Sequence, residues 1–172
     1  MIEWTDELQK NYKSTLFIAF TLYVQAPLCY LLVTYFMKKE LVIGGQFDIM
    51  FYILLFLGMI LPTIIPLLEK SYISAFKKEP NNYAFRSKIS INPFHRRKKE
   101  GTPIGLYSVL FLVQASIVES IFIFGFIVYL TSGDITRMLY FYPIGIAWSF
   151  VYFPTKSRCI KFLEKVSTDA IV

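Results

Sequence analysis

The chain reads as an all-α polytopic integral membrane protein with four transmembrane helices, and three observations carry that reading. The 172 residues are 55% hydrophobic and 18% aromatic. Four apolar stretches, 15–37, 47–68, 104–131 and 137–153, can each cross a hydrocarbon core of about 30 Å at about 1.5 Å per residue, the last only just. The basic residues are divided very unevenly among the segments that join them. A soluble domain of this size does not carry several apolar runs of that length. Lipid offers the backbone no hydrogen bonds, so the runs are helices. One membrane domain over 1–172 is expected, with no soluble domain beside it.

The N-terminal segment comes first. Met1-Ile-Glu-Trp-Thr-Asp-Glu-Leu8 is acidic where a cleavable signal needs positive charge, so the first span is expected to act as an uncleaved anchor. Span one, 15–37, contains Gln25, Pro27 and Cys29, and span two, 47–68, contains Pro62 and Pro66. Each proline removes a backbone donor, and Pro27 acts on the carbonyl of Tyr23 one turn back. The central segment 69–103 is long for a bundle connection. Its first part, through Lys78, continues the second helix with Tyr72, Ile73 and Phe76 on one face. Pro80-Asn-Asn82 ends that run, and a basic stretch with His95-Arg-Arg-Lys-Lys99 follows. Span three, 104–131, is apolar apart from a few hydroxyls, Gln114 and Glu119. Span four, 137–153, contains Pro143. The tail 154–172 holds a short amphipathic helix at the cytoplasmic surface. Trp4, Tyr12, Tyr72, Tyr140 and Trp148 are the expected interfacial anchors.

Charge fixes the expected orientation. Lys10 and Lys13, nine basic residues of the central segment, and Lys156, Arg158, Lys161 and Lys165 make fifteen of the 18 on one side. Lys38, Lys39 and Arg137 are the remainder. Cytoplasmic loops carry the excess of Lys and Arg, so both termini and the central segment are expected in the cytoplasm, with the chain in a bacterial inner (plasma) membrane. Cys29 then lies inside the first span and Cys159 follows the fourth in the reducing compartment, so no disulfide between them is expected. Cys159 has a juxtamembrane position of the kind that is acylated in eukaryotes.

An internal repeat is expected as well. Val24-Gln-Ala-Pro-Leu-Cys-Tyr30 aligns with Val113-Gln-Ala-Ser-Ile-Val-Glu119 at an offset of 89, and each half is a helical hairpin. A tandem duplication would give two parallel hairpins about an axis along the membrane normal. Tyr30 then stands where the second half has Glu119.

Glu119 is the candidate functional residue. The other eleven acids fall outside the spans or at their edges. A carboxyl at mid-bilayer costs several kcal/mol if ionised and unpaired, so it is neutral, paired or beside water, and it marks a functional site by default. Ser108, Leu112, Ala115, Ser116 and Glu119 share one helical stripe. The ion-binding set this implies is Glu119 with Ser116, Gln114 and Gln25. The other reading of the same residues is a neutral glutamate that hydrogen-bonds between helices and only braces them. A weaker expectation is that Arg96, Arg97, Lys98 and Lys99 meet anionic lipid headgroups.

Residues 119–130, Glu-Ser-Ile-Phe-Ile-Phe-Gly-Phe-Ile-Val-Tyr-Leu, resemble the ion-binding helix of the rotor-ring proteolipid (c) subunits of rotary ATP synthases. There a membrane glutamate is followed by a small residue, Ile-Tyr/Phe-Gly, an aliphatic pair and Leu. The resemblance covers these 12 residues. It implies that Glu119 takes up and releases a proton or cation, with Gly125 as a packing position.

Other classes find no support. His95 is the single histidine, so no Cys/His metal cluster can form, and no nucleophile elbow or phosphate loop occurs. The expectations are therefore no enzyme, no cofactor, no metal and no nucleic acid. Two functions remain: ion or proton handling in a proteolipid-like assembly, or an accessory subunit packed against a larger membrane complex. Both need membrane lipid and other membrane protein chains, as a homo-oligomer or a larger complex.

The topology is directly testable with introduced cysteines. Cysteines introduced within 69–103 are expected to react in intact cells with membrane-permeant thiol reagents alone. Cysteines at Gly44 or Gly133 should react with impermeant ones. Labelling of the central segment from outside would overturn the orientation.

Overall fold

A computed structural model of the chain describes residues 6–37, 45–78 and 103–168. These residues are helical throughout apart from short turns, and no strand occurs among them. The helices are α1 (Asp6–Phe20), continued through a π-helical turn (Thr21–Gln25) into α2 (Ala26–Met37); α3 (Gly45–Ile60), continued through a 3₁₀ turn (Leu61–Ile64) into α4 (Ile65–Lys78); α5 (Pro103–Ser132); α6 (Ile135–Leu139); α7 (Phe141–Val151); and α8 (Lys156–Thr168). Three continuous helices are long and apolar enough to cross a membrane: Leu8–Met37, Asp48–Phe76 and Pro103–Ser132, of 30, 29 and 30 residues. The fourth apolar stretch is not one long helix. It breaks at Tyr140 between α6 and α7. Pro143 sits in the first turn of α7, where its missing N–H costs nothing, and a new helix start is the conformation it favours.

Proline also explains the two irregular turns. In the first helix the backbone N–H of Ala26 reaches back five residues to the carbonyl of Thr21. This wider turn falls just where the ring of Pro27 would crowd the carbonyl four residues before it. In the second, Pro66 cannot donate to the Pro62 carbonyl. That oxygen instead accepts the N–H of Ile65 in 3₁₀ register and the hydroxyl of Tyr152 at 3.1 Å. Tyr142 donates to the carbonyl of Pro27 at 2.9 Å, and Tyr12 to that of Pro154 at 3.0 Å.

The residues fall into two compact units. The first is built from the described parts of Met1–Phe17, Pro66–Val113 and Pro154–Val172. Its core joins Ile73 and Phe76 of α4, Ile104, Leu106, Tyr107 and Leu110 of α5, and Cys159, Phe162, Leu163 and Val166 of α8. The hydroxyl of Thr155 caps α8 by accepting the N–H of Arg158 at 3.3 Å. Thus α8 is amphipathic as the sequence indicates, and its apolar face is covered by protein. Cys159 is fully buried, and burial pushes its thiol up to about 11. Acylation at Cys159, an outcome its juxtamembrane position allowed, is ruled out in this fold because the sulfur is out of reach. Lys156, Arg158, Lys161 and Lys165 are exposed, with Lys165 paired to Glu69 at 3.1 Å.

The second unit comprises Ile18–Ile65 and Gln114–Phe153. Its spine is a buried stripe of α5: Ala115, Val118, Phe122, Gly125, Tyr129 and Ser132, at helical spacings of three and four. Close approach depends on glycines. A Cβ at Gly125 would stand 3.0 Å from the Met138 carbonyl and from Phe141. One at Gly145 would stand 2.5 Å from the ring of Phe122. At the α6 end, Gly133 takes a left-handed turn (φ 73°) and Asp134 caps α6 through the N–H groups of Thr136 and Arg137. Arg137 pairs with Asp134 at 3.1 Å and with Asp48 of α3, and its guanidinium lies 5.7 Å from the Phe51 ring centre.

Gly145→Ala is expected to destabilise the protein by about 1–3 kcal/mol, because the added methyl overlaps the fully buried ring of Phe122. Gly58→Ala, where the same methyl meets Ile121 at an ordinary 3.5 Å, should be nearly silent. Thermal unfolding of the detergent-solubilised variants checks the contrast, and equal behaviour of the two would refute it.

Candidate functional site

Glu119 lies on α5 one residue past fully buried Val118 and is itself half-buried. It therefore occupies the edge of the packed stripe. The edge faces α2, and there the Tyr30 hydroxyl donates to Glu119 Oε1 at 3.0 Å. The bond comes about because Pro27 and Tyr30, with Ala19, Tyr23 and Thr34, line the one face of the first helix that is turned inward. It is the one hydrogen bond given to the Glu119 side chain among the described residues.

Aromatic rings fix both partners. Tyr30 stacks on Phe126 with centroids 5.3 Å apart. One turn below Tyr30, the Pro27 carbonyl is held by Tyr142, whose ring meets Phe122 edge-on at 5.3 Å. One turn above, Thr34 offers its carbonyl to Tyr129 at 2.9 Å. The segment of α2 opposite Glu119 is thus pinned at three successive levels, by Tyr142, Glu119 and Tyr129. A carboxyl held this way accepts from the phenol whether or not its other oxygen carries a proton, so its charge can change without the helices moving.

The remaining sequence-derived candidates are placed differently. Ser116 is exposed, as is Leu112 on the same stripe. Gln25 is exposed on the face of the first helix that points away from Tyr30. Gln114 is half-buried and lies on the other flank of α5 from Glu119. Arg96, Arg97, Lys98 and Lys99 fall outside the described residues. Gly125 packs closely against Met138 and Phe141. No group of three or more His, Cys, Asp or Glu that could hold a metal occurs among the described residues.

No family model, curated protein or solved structure matches the chain. The site therefore has to be argued from its own geometry. Its missing member was Tyr30. The signal for it was present in the sequence, since the repeat offset of 89 places Tyr30 at the position of Glu119. Were the two halves related by a two-fold axis, equivalent positions beside it would be those that touch across it.

Tyr30→Phe and Glu119→Ala are each expected to weaken the fold. The double variant should lose less than the sum, with a coupling of about 0.5–1.5 kcal/mol, the range for hydrogen bonds between membrane helices. Unfolding of the four proteins in a denaturing detergent series measures it. Strict additivity would mean that the bond contributes nothing.

Proposed function

We propose that this protein is a four-span, proteolipid-like membrane protein, not an enzyme, and that the Glu119–Tyr30 pair is its protonatable mid-membrane site for proton or cation handling within an assembly. The observation that carries the proposal is the half-buried carboxyl held by a single phenol: bound firmly enough to stay in place, covered too little to be inert packing. A purely structural polar group is expected to be enclosed and saturated, as Ser132 and Ser149 are by the carbonyls of Val128 and Gly145. Glu119 keeps hydrogen-bonding capacity that a proton, an ion or a neighbouring chain can use.

The fourth span would be α6 with α7, a short crossing whose outer end is anchored by Arg137. Its two acidic partners make a cation tolerable on the side where the orientation leaves few basic residues. Both termini and the central segment would be cytoplasmic, in a plasma membrane. The hairpin duplication gains support from two contacts. Tyr30 with Glu119, and Asp48 with Arg137, are each pairs separated by 89 residues, the repeat offset. The accessory-subunit reading is favoured by a different observation, the clamping of α2 by Tyr142, Glu119 and Tyr129, which suits a rigid bracing element.

Glu119→Gln separates the two. Glutamine still accepts from Tyr30, so folding should survive, whereas the proton is lost. In native membranes a hydrophobic carbodiimide, which attacks protonated carboxyls in apolar surroundings, is expected to label the wild type at Glu119 and not the variant. Labelling should fall as pH rises, and also with added sodium if the ion is sodium. No labelling of the wild type between about pH 6 and pH 9 would remove the ion-handling proposal and leave the bracing one.

A further inference from the structure

We propose that the outward face of the first helix, centred on Gln25, is an interface between two copies of this chain. Ala19, Tyr23, Pro27, Tyr30 and Thr34 turn inward. Gln25, Cys29, Leu32 and Phe36 lie directly opposite and are all exposed, Leu32 at 56% and Phe36 at 78%. Their spacing of four, three and four residues is that of a helix–helix seam, in which two helices interdigitate at a small crossing angle. Within it Gln25 is the anomaly. It stands one residue from the midpoint of the 15–37 span, and the structure gives its side chain no hydrogen bond among the described residues. Two other polar side chains of the span, by contrast, have partners: Thr34 in the Leu31 carbonyl and Tyr30 in Glu119.

Hydrocarbon cannot satisfy a carboxamide, and it gives no reason to place one at mid-depth on an outward face. A second protein helix does. The occupant that fits is a second copy, because a carboxamide is both donor and acceptor. A two-fold axis along the membrane normal sets Gln25 against Gln25 with each amide donating to the other's oxygen. One polar residue in an otherwise apolar seam also fixes the register. Small Cys29, one turn on, allows the backbones to approach. The proposal rests on the membrane-spanning reading and is independent of what Glu119 does.

The chain carries its own probe. Cys29 and its symmetry mate would face each other across the axis, within the reach of a disulfide or a very short bis-maleimide, while Cys159 is buried and shielded. Mild oxidation of native membranes should give a reducible adduct of twice the 20.1 kDa chain, lost in Cys29→Ser and kept in Cys159→Ser. Gln25→Leu should lower the dimeric fraction at fixed protein-to-lipid ratio by on the order of tenfold, and Gln25→Asn should retain most of it. In the variants that keep it, protection of Cys159 from maleimide verifies folding. A Cys29 adduct with a different protein, no adduct at all, or a Gln25→Leu variant that dimerises as well as the wild type would each overturn the proposal. Release of the protein by alkaline carbonate would overturn it through its premise, whatever the outcome of carbodiimide labelling.

Discussion

A helix that loses a hydrogen bond to proline must find another donor for the stranded carbonyl, and where water is absent that donor has to come from the protein. The constraint is met in full at Pro62, whose carbonyl Pro66 strands: Tyr152 donates to that oxygen from outside the helix, and the 3₁₀ turn supplies the N–H of Ile65. The π-helical turn before Pro27 is the local accommodation in the first long helix. Tyrosine hydroxyls also reach the carbonyls of Pro27 and Pro154 themselves, from Tyr142 and Tyr12. Tyrosine suits the task because its ring packs among apolar side chains while its hydroxyl reaches a backbone oxygen one helix away. The proline-containing stretches therefore join helices as well as bend them: Tyr142 of α7 and Tyr152 just past its end reach the first and second long helices.

Glu119 belongs to this scheme with one difference. Tyr30 donates to a side-chain carboxyl where Tyr142 and Tyr129, at the neighbouring levels, donate to backbone carbonyls of α2. A backbone carbonyl has one charge state and a carboxyl has two. Replacing a carbonyl contact by a carboxyl contact at the same position in a brace adds no mechanical strength. It adds a titratable group in a place that is already rigid, and this asymmetry weighs towards chemistry and away from bracing alone.

Much of the fold was legible in the sequence, for a reason particular to membrane segments: length and composition alone demand helix, and three long apolar helices are present. The face of α4 carrying Ile73 and Phe76 and the amphipathic α8 were legible because charged residues mark their outer sides. The fourth stretch was misjudged as one helix, since composition does not register where Pro143 restarts it. The packing of α5 was the least legible. That helix is apolar all round, so no pattern says which face turns inward, and grouping Ser116 with Glu119 put together one exposed and one half-buried residue. Gln25 and Gln114 were attached to the site because they are polar and repeat-related. Their helical phases carry them away from the carboxyl.

What the sequence did carry was the spacing. A glutamate and a tyrosine 89 residues apart hydrogen-bond, and so do an aspartate and an arginine 89 residues apart at the other end of the second unit. If the halves descend from one hairpin that dimerised about a two-fold axis, equivalent positions near the axis began as identical residues facing each other. Identical ionisable groups in contact repel, whereas unlike pairs attract or hydrogen-bond. Once both hairpins lie in one chain, the two positions can diverge separately. Tyr with Glu and Asp with Arg are complementary pairs of the kind that such divergence permits and that a homodimer of hairpins could not have made. On this argument the Glu119–Tyr30 pair would be a product of duplication, one half supplying the acid and the other the phenol that holds it.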